Sequence, residues 1–197
     1  MLEIILVRHG ETEGNLRPTA IGTTDLPLTE RGRRQAYSLS RMFALKKPDA
    51  IYASTLKRAM DTAEMIAQPH DLSIEPVLDL GERNFGLLEN RTLDSIRTEF
   101  EEEYDAWQAD LAGYVMPGGE SMQTVYDRSV RTIEAILKRH EEGSVIVVSH
   151  YNPIRAMLAH LLGMGIEGLW RFEVKNGAAC RLEIQGSHAV LTAFNEI

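Results

Sequence analysis

Residues 144–148 read SVIVV, an apolar run rich in β-branched side chains that begins after Gly143 and stops at Ser149-His150. A run this short and this uniformly apolar has no polar face to give to water. It reads as a strand buried on both sides, and such strands belong to sheets covered by helices on both faces. Residues 2–7 (LEIILV) and 50–53 (AIYA) repeat the pattern, and each stops abruptly at polar residues, Arg8-His9-Gly10 and Ser54-Thr55.

Between the apolar runs the period changes from continuous to helical. Thr29 is an expected N-cap, followed by Ala36, Leu39, Met42 and Phe43 on one face, with the helix ending before Pro48. Ser54 is expected to cap a second helix that carries Leu56, Ala59, Met60 and Ala63 and is bounded by Pro69. Residues 74–78 form a candidate third strand. Met122, Val125, Ser129, Ile133 and Ile136 mark a helix predicted to run to Gly143, and Ile154, Met157, Leu158, Leu161 and Leu162 mark the one after SVIVV. Residues 181–184 and 190–194 read as a closing strand pair turning at Gly186. Residues from about 82 to 116 differ: they are acidic, contain Trp107, and have few β-branched residues, so they read as an inserted helical lid. The predicted fold is α/β, a three-layer α/β/α sandwich with a mainly parallel sheet, spanning residues 1–197 as a single domain with a lid at about 82–116.

Composition narrows the function. With 197 residues and a formal net charge of −8, the global field repels nucleic acid. No apolar stretch approaches the roughly 20 residues that cross a bilayer, and the N-terminus lacks a basic segment and a small-residue cleavage site. One cysteine, Cys180, excludes an intrachain disulfide. The expectation is a cytoplasmic protein with no membrane or nucleic-acid partner. An apolar helix face serves a core or an interface equally well, so a homodimer is left open.

His9 follows the first strand and His150 follows SVIVV, while Arg8 precedes His9 and Arg58 falls in the first turn after the 50–53 strand. Ligands of open α/β sheets bind beyond the carboxyl ends of the strands. Were the first and SVIVV strands neighbours, two imidazoles and two guanidiniums would meet there. Guanidiniums fork onto phosphate oxygens, a helix N-terminus favours anions, and an imidazole held beside arginines is biased to its neutral, nucleophilic form. A small phosphorylated metabolite is the expected ligand.

Several motifs then follow in order along the chain: Arg8-His9-Gly10-Glu11-Thr12 with Asn15, Asp25-Leu26-Pro27-Leu28-Thr29 with Gly32, Ser54-Thr55-Leu56-Lys57-Arg58-Ala59 with Thr62, Glu82-Arg83-Asn84-Phe85-Gly86, Pro117-Gly118-Gly119-Glu120-Ser121, and Val148-Ser149-His150 with Ile154-Arg155. Together they resemble the histidine phosphatase superfamily, the phosphoglycerate mutase-like fold, and the Asn176-Gly177 stretch is more similar to its small phosphatases. The resemblance implies a phosphatase that needs no metal or cofactor. His9 would be the nucleophile; Arg8, Arg58 and His150 would hold the phosphoryl oxygens; Asn15 would add a hydrogen bond; and Glu82 would protonate the leaving oxygen. Thr24, where relatives often carry an aromatic, Arg83, which resembles a carboxylate-holding arginine of the mutases, and Tyr151, in a position usually held by a small residue, would shape the substrate site.

Two other functions are weighed. Arg83 favours a mutase that returns the phosphoryl group to glycerate, but the segment between Gly86 and Pro117 is short and the mutases' closing Pro-Thr-Gly is missing. A catalytically weak phosphate-binding protein would rest on Tyr151 alone. His70, His140, His160 and His188 fit no metal spacing and read as surface or packing residues. Glu120 and Ser121 read as caps of the next helix, and Met42, Met60, Met157 and Met164 as core filler.

Overall fold

The computed structural model describes residues 1–17 and 19–197. Six strands form one sheet in the order β3-β2-β4-β1-β5-β6. They are β1 (Leu2–Arg8), β2 (Ala50–Ser54), β3 (Ile74–Val77), β4 (Gly143–Ser149), β5 (Ala179–Gln185) and β6 (His188–Glu196). β1 to β4 are mutually parallel, and β5 and β6 run antiparallel at one edge. The expected closing pair is thus a hairpin, and its turn contains Gly186 at φ 60°, a left-handed conformation that costs glycine little.

The uniformly apolar strands split by residue parity. Leu2, Ile4 and Leu6 of β1, with Val145 and Val147 of β4, pack under α5 (Met122–Arg139) and α6 (Tyr151–Leu161). Ile5 and Val7, with Ile146 and Val148, pack under α1 (Glu30–Phe43) and α2 (Lys57–Ala67). Alternation along a strand sends neighbouring residues to opposite faces, so both sets are needed, and the polar Glu3 and Ser144 come only near the strand starts. The result is the expected three-layer sandwich. From β1 the chain steps by way of α1 and α2 toward β3, then returns by way of α5 to β4, inserted between β2 and β1. A right-handed crossover changes face when its direction reverses, which is why α5 lies opposite α1 and α2.

Caps follow the sequence in part. The Thr29 side chain accepts from the Gly32 amide, and Ser121 accepts from Thr124, as N-caps of α1 and α5; each such cap stabilises its helix by about 1 kcal/mol. Ser54 does not cap α2. It ends β2, the helix starts at Lys57 after Leu56, and the Ser54 hydroxyl serves the site instead. α5 ends at Arg139 rather than at Gly143, because Gly143, at φ 97°, already belongs to β4. Residues 82–116 hold a 3-10 turn (Gly86–Leu88), α3 (Leu93–Glu99) and α4 (Glu101–Ala109). They close over their own small apolar cluster of Leu88, Ile96 and Met116, flanked by Phe85, Phe100 and Trp107.

Candidate active site

β1 and β4 lie side by side, with Arg8 opposite Ser149. The next residue of each strand is a histidine, so the register alone brings His9 and His150 together, their ring centres 5.0 Å apart. This is where the strand order reverses: β1 connects toward one edge of the sheet and β4 toward the other. Such a switch point opens a crevice at the carboxyl ends. The turn after His9 is tight because Gly10 and Gly32 permit it. A Cβ on Gly10 would sit 2.4 Å from the Gly32 carbonyl oxygen, and one on Gly32 would sit 2.1 Å from that of Glu11. The His9-Gly10 backbone is therefore locked against the first turn of α1.

Both imidazoles are fully enclosed, His9 at 3% and His150 at 0% exposure. Burial first, then the nearby positive charge of Arg58 and Arg8, hold His9 well below the ordinary histidine range. Burial, His9 and the arginines do the same to His150. Both rings are accordingly neutral near pH 7. The hydrogen bonds assign the His9 tautomer. His9 Nδ1 lies 2.7 Å from the Gly10 carbonyl, which can only accept, so Nδ1 carries the proton. Nε2 is left with its lone pair, and the Arg58 Nε–H donates toward it at 3.3 Å. Arg58 Nε–H also donates to His150 Nδ1 at 3.2 Å, and His150 Nε2 meets the Ser54 hydroxyl at 2.7 Å. The carbonyls of Thr24 and Gly22 accept from the two terminal nitrogens of Arg58 and fix its plane.

Glu82 follows the turn after β3 and is 8% exposed. Its Oε1 accepts from the Arg83 amide at 2.8 Å and from Asn152 Nδ2 at 3.0 Å, and its Oε2 accepts from the Asn152 amide at 3.4 Å. The carboxyl group thus sits over the N-terminus of α6, held by three donors. Behind it stands Arg128 of α5. All its N–H directions are used: it donates to the carbonyls of Asp79, Gly81 and Glu82 and grips both oxygens of Glu120. Glu120, expected as a helix cap, is instead this buttress, and its Oε1 also accepts from the Asn84 amide.

A cavity of about 500 Å³ opens beside these groups. Asn15, Arg83 and Tyr151 line it, together with Arg8, Arg17, Asn152, Arg155, Trp107 and Trp170. A hollow of about 650 Å³ at the end of α2 is larger but holds none of the chemistry above. Asn15 Oδ1 accepts from Thr12 and Asn176, which turns its amide nitrogen toward the open side. Arg83 is almost wholly enclosed; burial lowers it to about 10, and it stays cationic. Thr24 is the expected substrate residue that falls elsewhere. It does not line the cavity; its hydroxyl accepts from Asn90 and its carbonyl holds Arg58. Asn152, Arg128, Trp170 and Arg17 belong to the site or its supports without having been singled out from the sequence, and Ser54, expected as a helix cap, joins them.

Known proteins match the chain along nearly its whole length. Residues 4–197 match the model of the histidine phosphatase superfamily, branch 1. The chain is 32% identical to phosphoserine phosphatase 1 of Hydrogenobacter thermophilus, over 99% of this chain and 92% of that protein. It is 30% identical to the adenosylcobalamin/alpha-ribazole phosphatase of Escherichia coli K12, over 98% and 96% respectively. The crystal structure of the alpha-ribazole phosphatase from Shigella flexneri superposes with a TM-score of 0.91 at 30% identity, covering 98% of this chain and 96% of that one. With its paired strand-end histidines, its enclosed arginines and a match along nearly its whole length, the chain belongs to branch 1 of the histidine phosphatase superfamily and is a phosphatase.

Proposed function

We propose that the protein hydrolyses small phosphate monoesters by passing the phosphoryl group through His9, without a metal ion. The observation that carries this reading is the tautomer of His9: Nδ1–H is tied to the Gly10 carbonyl, and the Nε2 lone pair faces the guanidinium of Arg58. Nε2 attacks phosphorus, the bond to the ester oxygen breaks, and Glu82 delivers a proton to that oxygen as it leaves. Arg8 and Arg58 carry the charge spread over the three phosphoryl oxygens, and Asn15 Nδ2 adds a neutral donor. Water then attacks the phosphohistidine, its proton passes to Glu82, the P–N bond breaks, and His9 returns to its starting tautomer.

His150 joins this set through Ser54. With substrate absent, its Nδ1 accepts from Arg58. When a phosphoryl oxygen draws the Arg58 N–H, the Ser54 hydroxyl can donate to Nε2, and Nδ1–H then faces the phosphoryl group. The segment 82–116 works as a lid that covers the leaving group, a reading supported by Arg83 and Trp107, which come from it and line the cavity. The lone cysteine, buried and unpaired, supports a reducing, cytoplasmic setting. Every group named comes from one chain; sedimentation at micromolar concentration tests the homodimer that the sequence leaves open.

Phosphate release in the presence of a chelator tests the mechanism, alongside trapping of an acid-labile, base-stable phosphoenzyme. The reading requires full activity with chelator and loss of both signals in His9→Ala. Activity that vanishes on chelation, or survives in His9→Ala, would overturn it. A mutase would instead transfer the phosphoryl group of the phosphoenzyme to added 3-phosphoglycerate without net phosphate release.

A further inference from the structure

Phosphate needs Arg8, Arg58 and the imidazoles. Arg155 lies beyond that set, and among the described residues its two terminal nitrogens are not spent on any acceptor. It is 6% exposed and lines the same cavity. Its guanidinium carbon sits 4.5 Å from the centre of the Tyr151 ring and 5.1 Å from that of Trp170. Its Nε–H donates to the Leu169 carbonyl at 2.8 Å, and among the described residues neither terminal nitrogen has an acceptor. The neighbouring acids are engaged elsewhere: Glu173 accepts from the Tyr151 hydroxyl, and Glu82 from Asn152 and the Arg83 amide.

A buried cation without a counter-ion is unfavourable. The Tyr151 and Trp170 rings pack against the guanidinium, and the Nε bond fixes its rotation. What is left is an edge bearing two parallel N–H donors, the geometry that matches a carboxylate bidentately. Arg8 sits over the same Tyr151 ring at 4.8 Å, and among the described residues its buried Nε also has no partner. One small molecule can therefore reach from the phosphoryl site past Tyr151 to Arg155.

Resting on the phosphatase reading above, we infer that Arg155, held between Leu169, Tyr151 and Trp170, binds a carboxylate on the leaving group through its two terminal nitrogens, so that the preferred substrates are phosphate esters of short hydroxy acids. Tyr151, anomalous in the sequence, is then the wall that orients this fork.

The test compares kcat/KM within matched pairs: O-phosphoserine against O-phosphoethanolamine, and 3-phosphoglycerate against glycerol 3-phosphate. The first member of each pair carries the carboxylate. The inference requires a preference of about tenfold to hundredfold for the carboxylated member, the range of one charge-assisted hydrogen-bonded pair. In Arg155→Met the ratio falls toward one, and in Arg155→Lys part of it returns. Because each ratio is taken within one variant, general damage to the site cancels. A ratio near one in the native enzyme, a ratio unchanged in Arg155→Met, collapse only in Arg83→Met, or a stronger preference for a bisphosphate would each overturn the assignment. Turnover of p-nitrophenyl phosphate separates the two levels. If it does not depend on His9, the phosphatase reading itself fails; if it does and the ratios are flat, only the carboxylate site fails.

Discussion

Arg128 does not line the cavity, yet its loss should be felt in both stability and rate. Arg128→Met keeps the aliphatic stem and removes five hydrogen bonds, two of them to Glu120 in a pair whose side chains are only 10% and 18% exposed. Glu120 keeps the Asn84 amide alone, and the carbonyls of Asp79, Gly81 and Glu82 lose their shared donor. Breaking a buried, hydrogen-bonded ion pair by removing one partner costs about 3–5 kcal/mol. For a domain of this size each kcal/mol moves the melting point by roughly 2–4 °C, so Tm should fall by about 6–20 °C. Calorimetry or circular dichroism reads this directly. The effect on rate passes through Glu82, whose backbone Arg128 holds. A poorly placed Glu82 protonates the leaving oxygen less well, which matters for an alkyl phosphate and little for p-nitrophenyl phosphate, whose leaving group departs as an anion. Assayed well below the new Tm, kcat/KM should fall more for the alkyl ester, by about tenfold or more. A Tm shift under 2 °C, or equal losses on both esters, would refute this chain of reasoning.

Acid should destabilise the fold through its two enclosed histidines. Both have folded-state values depressed below 6.5, so the unfolded chain binds protons more readily. Stability is fully present above about pH 6.5 and is lost as pH falls below it, by up to about 1.4 kcal/mol per pH unit for each ring. Urea unfolding at about pH 7.5 and 5.5 should differ accordingly, and equal midpoints would contradict the neutral assignment. Gly10→Ala places a methyl against the Gly32 carbonyl; it should cost about 1–3 kcal/mol and sharply reduce turnover, since the backbone that must yield also positions His9. Ser54→Ala removes the partner of His150 Nε2 and should destabilise by about 1–3 kcal/mol, with kcat reduced more than KM is raised. Asn152→Leu leaves Glu82 with fewer donors and should cost about tenfold or more in kcat, most visibly on alkyl esters.

The layers and the sheet were legible because each strand obeys a simple rule. Residues 145–148 and 4–7 are apolar on both faces, and only a doubly covered sheet accepts them. The histidines were legible because each ends such a strand. What the sequence concealed is what depends on long-range neighbours. Ser54 has the chemistry of a helix cap, yet His150, distant in sequence, claims its hydroxyl; local propensity was outbid by a tertiary partner. Thr24 sits in the right loop, but its carbonyl rather than its side chain faces the site. Arg128 is one basic residue on a helix with several, and nothing local marks it as the one that turns inward.

The same reasoning explains why the site uses two histidines rather than two more arginines. A nucleophile needs a lone pair, and Arg never offers one. His150 needs to change its donor pattern as the phosphoryl group arrives, and only imidazole can exchange which nitrogen carries the proton without gaining charge. The fold supplies opposite fixed partners for the two rings. A carbonyl, which can only accept, locks His9 in one tautomer. A hydroxyl, which can accept or donate, leaves His150 two. Replacing Ser54 by a residue that only accepts should therefore remove the second option. Ser54→Asp, with its carboxylate ionised, would pin the proton on His150 Nε2 and leave Nδ1 unable to donate to phosphate. The expected result is a folded enzyme with phosphohistidine formation slowed by about a hundredfold or more. Rapid-quench measurement of phosphoenzyme formation checks it, and a native rate in Ser54→Asp would show that His150 never exchanges its tautomer.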